Sequence, residues 1–568
     1  MSATETPAIA SALQLVAGLR DAGMAAAVVS PGSRNAPLIQ AFATLGIRTV
    51  VALDERSAAH HALGLALTLK QPVAVCCTSG TAALNHGPGL AEAHRSGLPL
   101  ISLTADRPAG ADGEWQSQTL AQDGVHTPHV RASFTWDAPL QADGQTLLEG
   151  MTAALSCGPI HVNCPFEEPL YAAASASAGD PAPTHPAEPG QWNGDQSEVP
   201  LWFSARMEQA ARQGERVLLL GGTHPWSLPT PALKIWGTFA ALVGDTTSGL
   251  CAPGMTTLTA CDRWLSAVNA SGRPWADFAP DLVVSFGAPL LSRRLRGALA
   301  QTAPEHLHID PGGSAPAAFS ATARNVSCSV QAALETGARA FTDTSPARSN
   351  SEGQPWHTSW WDFECTVRER HPSALQPAPW SDLIAHQLLH AALPKGWGLH
   401  LGNSTPVRYA QLFERRGDRH PWSNRGVAGI DGCNATAVGA ALAGQPTTLI
   451  TGELGFLYDA NAFHIHPQPD NLRIAVIHNG GGGIFRWLEG PERTGLAESH
   501  FEWQHHTELR PLCDLHGLIH ERVTNAKGLK AALEDWWEPS VAGKVLEIVT
   551  PGPESAEVYK RYMAAVQA

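Results

Sequence analysis

Residues 451–488, TGELGFLYDANAFHIHPQPDNLRIAVIHNGGGGIFRWL, constrain this chain more than any other stretch. An apolar run over 447–451 turns at Gly452 and Glu453 and crosses a mixed segment. It then enters a second apolar run, 472–477, followed by His478, Asn479 and four glycines. Two strands joined by a crossover lie parallel with their carboxyl ends on one edge, which is where open α/β sheets bind ligands. That edge carries a carboxylate at Glu453 and an amide at Asn479, oxygen ligands suited to a hard divalent cation. Residues 480–483 offer backbone with no side chain in the way, able to approach a diphosphate closely. The pattern reads as an anchor for a metal and a diphosphate, against the plainer reading of a glycine-rich turn closing a buried strand. The separation of 26 residues between Glu453 and Asn479 favours the anchor.

At 568 residues the chain exceeds what one core supports and divides into two to four domains. Its apolar stretches fall well short of the roughly 18 residues a membrane span needs. The N-terminus, MSATETPAIASALQ, lacks a basic-then-apolar signal, so the expectation is a cytoplasmic protein without a span. Ten cysteines occur without a C-x-x-C, and Cys76 and Cys77 are adjacent inside an apolar run, which predicts reduced core thiols rather than disulfides or zinc ligands. A net charge of -14 argues against nucleic acid as a partner. An anionic substrate would need local arginines to overcome that field.

Taken in order, ALQLVAGLR has helical spacing and leads into the strand-like AAAVVS ending at Ser30; a loop, 31–35, then feeds the helix APLIQAFATLG. A loop on the carboxyl side of a strand, entering a helix N-terminus, is an anion site by construction. The rhythm repeats: strand 49–53, then Asp54-Glu55-Arg56 and the helix SAAHHALGLALTL; VAVCC, then TSGT; LISLTA, then DRP; IHVNCP, then FEE. Such alternation predicts a doubly wound parallel sheet. An Ala/Ser/Pro/Gly-rich linker follows at 172–200, then a second α/β unit with strands VLLLGG, LVVSFG and HLHID, and Arg293-Arg294 just past the middle one. Gly221-Gly222 hints at a nucleotide fold, but no G-x-G-x-x-G is present, so FAD or NAD is not supported. A second polar linker spans about 342–355, and the last unit opens with SDLIAHQLLHAAL, GLHLG and Asn403-Ser404. The expected division is 1–175, 198–342 and 375–568. His60-His61 within a helix, and His464 and His466 in the crossover, read as structural histidines.

The opening stretch resembles the motif of thiamine diphosphate (ThDP) enzymes, in which Gly-Asp-Gly or Gly-Asp-Leu is followed, after a crossover, by Asn-Asn. Here Glu453 stands for the Asp and His478 for the first Asn. SPGSR (30–34), DER (54–56), TSGTA (78–82), LTADRP (103–108), NCPF (163–166), GNS (402–404), SNRG (423–426) and GIDG (429–432) follow in order, and with them nearly the whole chain resembles the 2-succinyl-5-enolpyruvyl-6-hydroxy-3-cyclohexene-1-carboxylate (SEPHCHC) synthase family of menaquinone biosynthesis, MenD. The resemblance implies three doubly wound domains: pyrimidine-binding, cofactor-free and diphosphate-binding. It also implies a homodimer or homotetramer with active sites between the first domain of one subunit and the third of its neighbour. The implied reaction is decarboxylation of 2-oxoglutarate and addition of the resulting enamine to isochorismate.

The same resemblance assigns residues. Glu453, the Asn479 side chain and the Gly481 carbonyl would hold Mg²⁺ (or Mn²⁺). Thr78, Ser79, Gly80, Gly452, Leu454, Gly480, Gly481, Ile484 and Phe485 would contact ThDP, and Ile430 would buttress its V shape. Glu55 would face the aminopyrimidine N1′, with burial raising its pKa; without the downstream motif it reads as an acid at a helix N-terminus. Both substrates are dicarboxylates, which calls for arginine's forked, fixed charge. Arg34, Arg107, Arg294, Arg408 and Arg425 are the candidates, with Ser33, Gln118, Arg293, Asn403 and Ser404 as polar helpers and Phe485 and Leu488 lining the pocket. A helix beginning at Ser404 would put Arg408 on the same face. Two other readings stand beside this one: a related ThDP decarboxylase or carboligase acting on a smaller 2-oxo acid, and a non-catalytic binding protein on a ThDP fold, suggested by Glu453 and His478.

Overall fold

The computed structural model describes residues 6–108, 110–111, 117–137, 142–171, 198–251, 255, 257–319, 321–342, 355–413 and 420–567. Most of both expected linkers, 172–197 and 343–354, lies outside these residues. In chain order the strands are β1 (Ala26–Val29), β2 (Arg48–Val51), β3 (Val73–Cys77), β4 (Leu100–Asp106), β5 (Ala132–Thr135), β6 (Ile160–Pro165), β7 (Val217–Gly221), β8 (Ala240–Gly244), β9 (Thr257–Leu258), β10 (Leu282–Phe286), β11 (Glu305–Ile309), β12 (Ala317–Ala318), β13 (Ala321–Thr322), β14 (Arg324–Val326), β15 (Gly398–Leu401), β16 (Thr447–Gly452), β17 (Leu472–His478), β18 (Ile519–Val523) and β19 (Lys544–Val549). They form three parallel sheets, ordered β2-β1-β3-β4-β6-β5, β14-β11-β10-β7-β8-β9 and β15-β16-β17-β19-β18, plus the small antiparallel pair β12-β13.

Central strands such as β3, β7, β10 and β17 are buried along their whole length, as expected where helices cover both faces of a parallel sheet. That is why they read as continuous apolar runs. β5, β8, β9, β12, β13, β14, β18 and β19 were not among the expected strands, although β8 and β19 are buried apolar runs too. β18, with the pattern IHERV, is mostly exposed, and β9 has two residues. Gly222 supports no nucleotide loop: a Cβ there would sit 1.6 Å from the Ala288 carbonyl oxygen, so this glycine lets two backbones touch. All ten cysteines are free thiols, and seven of them are buried. No helix is long and apolar enough among the described residues to cross a membrane.

The first and third sheets are joined within one chain by a helix crossing. Helix Glu55–Leu69 packs on helix Cys433–Leu442, and one apolar cluster runs from Val75 and Leu65 through Ala437 and Val438 to Leu449 and Val476. Glycines allow the approach, since a Cβ on Gly64 would lie 2.0 Å from the Thr436 carbonyl oxygen and one on Gly439 2.2 Å from that of His61. His60 and His61 are buried at this contact, with His61 Nε2 2.9 Å from the Ala462 carbonyl oxygen, so the structural reading of that pair holds. Asn461 Nδ2 donates to Asp54 Oδ2 at 2.6 Å and Arg56 Nη2 to the Tyr458 carbonyl at 3.2 Å.

A methyl group at Gly64 must therefore push apart two backbones, and overpacking of this kind costs about 1–3 kcal/mol. Gly64→Ala is expected to lower the thermal midpoint by several degrees. Gly297→Ala is the control: it lies inside a helix with nothing near its Cβ position, so it should be neutral or stabilising by up to about 1 kcal/mol. Differential scanning fluorimetry of the two variants checks the pair.

Candidate active site

β16 and β17 pair in parallel with Gly452 opposite Ile477, so the residues that follow them share one edge. Glu453 opens the helix Glu453–Tyr458 and is 2 % exposed. Its Oε1 accepts the Gly481 N–H at 2.7 Å and lies 3.6 Å from His505 Nε2. Asn479 donates through Nδ2 to Asp382 Oδ2 at 2.9 Å, while its Oδ1 is buried with no hydrogen-bond partner. A buried carboxylate and an amide oxygen lacking a donor fit a divalent cation, because an unpaired acceptor in low dielectric is costly unless a ligand completes it.

The glycine run departs from the expected open cradle. Gly481 N–H goes to Glu453, Gly482 N–H to the Glu502 carbonyl at 2.6 Å and Gly483 N–H to the Gly481 carbonyl at 3.0 Å. A Cβ on Gly481 would stand 2.7 Å from the Glu502 carbonyl oxygen, so the run also serves close packing against 502–505. Gly480, at φ +83°, turns the chain out of β17. Ile484, Phe485 and Leu488 follow; Phe485 packs on Phe501 at 5.6 Å, and Leu488 is 38 % exposed. Gly452 and Leu454 flank Glu453 and are half-buried.

His478 ends β17, and its Nδ1 lies 2.7 Å from Glu547 Oε1, on the adjacent strand β19. The other oxygen of Glu547 lies 2.8 Å from His520 Nε2. Burial pushes this carboxyl up, but the hydrogen bonds from His478 and His520 and the nearby charge of Arg522 outweigh it and hold the pKa at about 2. Sequence reasoning missed His505, Glu547 and Asp382. An acid inside the apolar run KVLEIV was a signal for Glu547; nothing in the sequence around His505 was.

Beside this anchor the third sheet builds a cationic corner. Ser404, at φ +73°, caps the helix Thr405–Ala410, and Arg408 Nη1 donates back to the Ser404 carbonyl, as the spacing predicts. Asn403 Nδ2 donates to the Asn424 and Gly429 carbonyls, and its Oδ1 accepts Arg425 Nη1 at 2.9 Å. Arg425 Nε is buried without a partner. Burial lowers the pKa of both arginines, Arg425 adds to the lowering at Arg408, and Arg293 repels Arg408 too, so these three cations converge. Asp245, buried in the middle sheet's edge, has its carboxyl pushed up to about 7 by burial, with Arg425 drawing it back. Glu92, from the first sheet's layer, fixes the arginine loop by accepting the Gly426 and Val427 N–H groups at 2.8 and 2.9 Å. Arg294 does not join the corner through its guanidinium's contacts: it is exposed and donates to Ser266 and the Asp262 carbonyl of the neighbouring middle-domain helix. Ile430 is 36 % exposed on the loop leading to helix Cys433–Leu442.

The first sheet gathers the remaining candidates at its own carboxyl edge. Arg34, 8 % exposed, donates to the Phe166 carbonyl at 3.0 Å and pairs with Glu168 at 3.3 Å. Ser33 is exposed, with Tyr171 Oη at 3.0 Å from its Oγ. Thr78, Ser79 and Gly80 follow β3; Ser79 and Gln118 exchange hydrogen bonds at 3.0 and 3.1 Å, and Gly80 N–H donates to Gln122 at 2.7 Å. Arg107 follows β4, its N–H donating to Asp106. Glu55 is the first residue of its helix, capped by Asp54, and is half-buried in the single chain rather than enclosed as expected.

Residues 11–126 match the family model described as thiamine pyrophosphate enzyme, N-terminal TPP binding domain. A SEPHCHC synthase of Porphyromonas gingivalis is 34% identical, covering 96% of this chain and 95% of the relative. Those of Flavobacterium johnsoniae and Desulfotalea psychrophila are 32% and 34% identical, covering 98% and 88% of this chain and 99% and 91% of the relatives. With identity of this order running through all three sheets, and with Glu453 and Asn479 meeting on the edge that their spacing requires, the chain belongs to the 2-succinyl-5-enolpyruvyl-6-hydroxy-3-cyclohexene-1-carboxylate synthase (MenD) family of ThDP enzymes.

Proposed function

We propose that the chain decarboxylates 2-oxoglutarate and joins the remaining fragment to isochorismate, yielding 2-succinyl-5-enolpyruvyl-6-hydroxy-3-cyclohexene-1-carboxylate and CO₂, with ThDP and Mg²⁺ or Mn²⁺ as cofactors. The observation that carries this reading is the cationic corner. Arg408 and Arg425 are half-buried, close together, with Arg293 near Arg408, and they are held in place by Asn403, Ser404 and Glu92. Fixed cations of this kind suit carboxylates that persist through the reaction: the distal group of 2-oxoglutarate and both groups of isochorismate. The carboxylate that leaves as CO₂ is a poor target for a tight pair, because holding it would oppose its departure.

Bound ThDP supplies the electron sink for decarboxylation. Around it, Glu453, Asn479 and the Gly481 carbonyl would hold the cation, and Gly452, Leu454, Gly480, Ile484 and Phe485 would shape the diphosphate end. Ile430 would support the cofactor from beneath, while Thr78, Ser79 and Gly80 would bound its pyrimidine. Glu55 would supply the carboxyl that exchanges a proton with that ring. Ser33, Arg34, Arg107 and Gln118, from the first sheet, complete the acid-binding wall, with Arg294 at its margin and Leu488 at its mouth.

Exposed apolar groups flank these residues in the single chain: Val51 at 55 % and Leu53 at 65 % beside Glu55, and Val427 at 53 % beside Arg425. A second copy covering them would bring one subunit's Glu55 over the other's anchor, supporting a homodimer or a tetramer built from it, with domains near 1–175, 198–342 and 375–568. Enclosure of Glu55 would then come from the neighbour.

The direct assay mixes protein, ThDP, Mg²⁺, 2-oxoglutarate and isochorismate and follows CO₂ together with loss of isochorismate absorbance. Decarboxylation of a smaller 2-oxo acid with isochorismate untouched would replace this reading by that of a related decarboxylase or carboligase. Glu55→Gln should bind ThDP and keep the fold while losing about 10² to 10⁴ in kcat, the usual contribution of a proton-transfer group. Near-normal turnover would remove Glu55 from the reaction.

Arg408→Ala leaves a substrate carboxylate unpaired in a desolvated corner, a loss on the order of 2–5 kcal/mol. The expected result is a fall of tens- to thousands-fold in kcat/KM, with ThDP affinity unchanged. Steady-state kinetics with each acid varied in turn shows which substrate the arginine holds; wild-type values for both acids would exclude the dicarboxylate role.

A further inference from the structure

A carboxylate oxygen of Glu453 and one ring nitrogen from each of His478 and His505 lie within 4.8 Å of one another, and all three side chains are almost wholly buried. The two imidazoles stack with centroids 5.5 Å apart. Their hydrogen bonds assign them different tasks. Thr507 N–H donates to His505 Nδ1 at 3.1 Å, so the neutral ring carries its proton on Nε2, the atom 3.6 Å from Glu453 Oε1. At that distance His505 Nε2 makes no hydrogen bond and faces the carboxylate across a gap. In His478 the arrangement is reversed. Its Nδ1 faces the Glu547 carboxylate at 2.7 Å, an acceptor that fixes the proton on Nδ1 and leaves the Nε2 lone pair open. A carboxylate behind an imidazole is the outer-layer pattern of metal-bound histidines, where it sets the tautomer and raises ligand basicity. Glu547 is itself held by His520 and Arg522.

We propose that His478 is a nitrogen ligand of the cation bound at Glu453 and Asn479, so that this site takes a borderline transition ion such as Mn²⁺, Co²⁺ or Zn²⁺ in preference to Mg²⁺. The inference rests on the cofactor reading above in one respect, that a cation sits at this anchor. Mg²⁺ takes oxygen ligands in near-ideal octahedral geometry and does not favour imidazole, whereas imidazole suits the later divalent ions. An ion with bonds of about 2.1 Å spaces its ligand atoms roughly 3–4.2 Å apart, so a small closing rotation of Glu453 and His478 brings both to one ion. Glutamate, longer by one methylene than the aspartate usual at its position, gives the reach for that rotation.

The test uses the full-length protein loaded with Mn²⁺, with and without ThDP, and reads nitrogen ligation by pulsed EPR while calorimetry gives the affinities for Mn²⁺ and Mg²⁺. Wild type should show directly bound ¹⁴N. His478→Asn should lose that coupling, and its preference for Mn²⁺ over Mg²⁺ should fall by about tenfold or more. Glu547→Gln, which keeps an acceptor but removes the charge, should weaken Mn²⁺ binding by about 10- to 100-fold, the usual effect of disturbing an outer-layer partner. Absence of nitrogen coupling in wild type, or its persistence unchanged in His478→Asn, overturns the proposal. ThDP binding, followed separately by tryptophan fluorescence, distinguishes the two ideas. Mn²⁺ bound through nitrogen without any ThDP binding would sink the cofactor reading and leave the ligand assignment standing, and normal ThDP binding with no nitrogen ligand would do the reverse.

Discussion

The parallel pairing of β16 with β17 is the constraint on which the rest of the molecule depends. Because Gly452 pairs opposite Ile477, the helix that starts at Glu453 and the turn after Asn479 leave the sheet side by side. An antiparallel pairing would put them at opposite ends. β17 is buried along its whole length between helices on both faces, so this edge stands on the core of the third sheet. The buried carboxylate and the unpaired amide oxygen then leave the sheet on the same edge, and a buried acceptor without a partner is costly unless a ligand completes it.

Around that edge the chain places charge in low dielectric and supports it with second contacts. Arg425 rests on Asn403, Asn403 on two carbonyls, and the loop between them on Glu92. Glu547 is shared by His478 and His520. These contacts fix Arg425, Asn403 and His478 in place. The glycine contact between helices Glu55–Leu69 and Cys433–Leu442 performs the same service at larger scale, locking the two outer sheets of one chain together.

The candidates were legible to different degrees for physical reasons. Glu453 and Asn479 were legible because each follows a buried parallel strand whose end is marked by a change from apolar to polar residues, whereas Glu55 and Arg408 were assigned by the family resemblance. Arg294 shows the limit of that rule. It follows β10 as expected, yet its guanidinium turns to Ser266 and Asp262 of the helix Cys261–Ala270, a choice made by tertiary neighbours. The glycine run was read as open backbone, but three of its N–H groups are already engaged, one by Glu453 and one by a loop some 20 residues further along the chain.

By itself the sequence determined three parallel α/β units and the strand ends at which Glu453 and Asn479 stand, because apolar runs of strand length and helical spacing are local signals. Only the tertiary structure decided that His505 faces Glu453, that Glu547 pairs with His478, and that Glu92 holds the arginine loop from another domain. Those contacts join residues separated by 52, 69 and more than 300 positions, and no local pattern records which buried polar groups must meet. Their partners are fixed by the cost of leaving such groups unpaired once the sheets have packed.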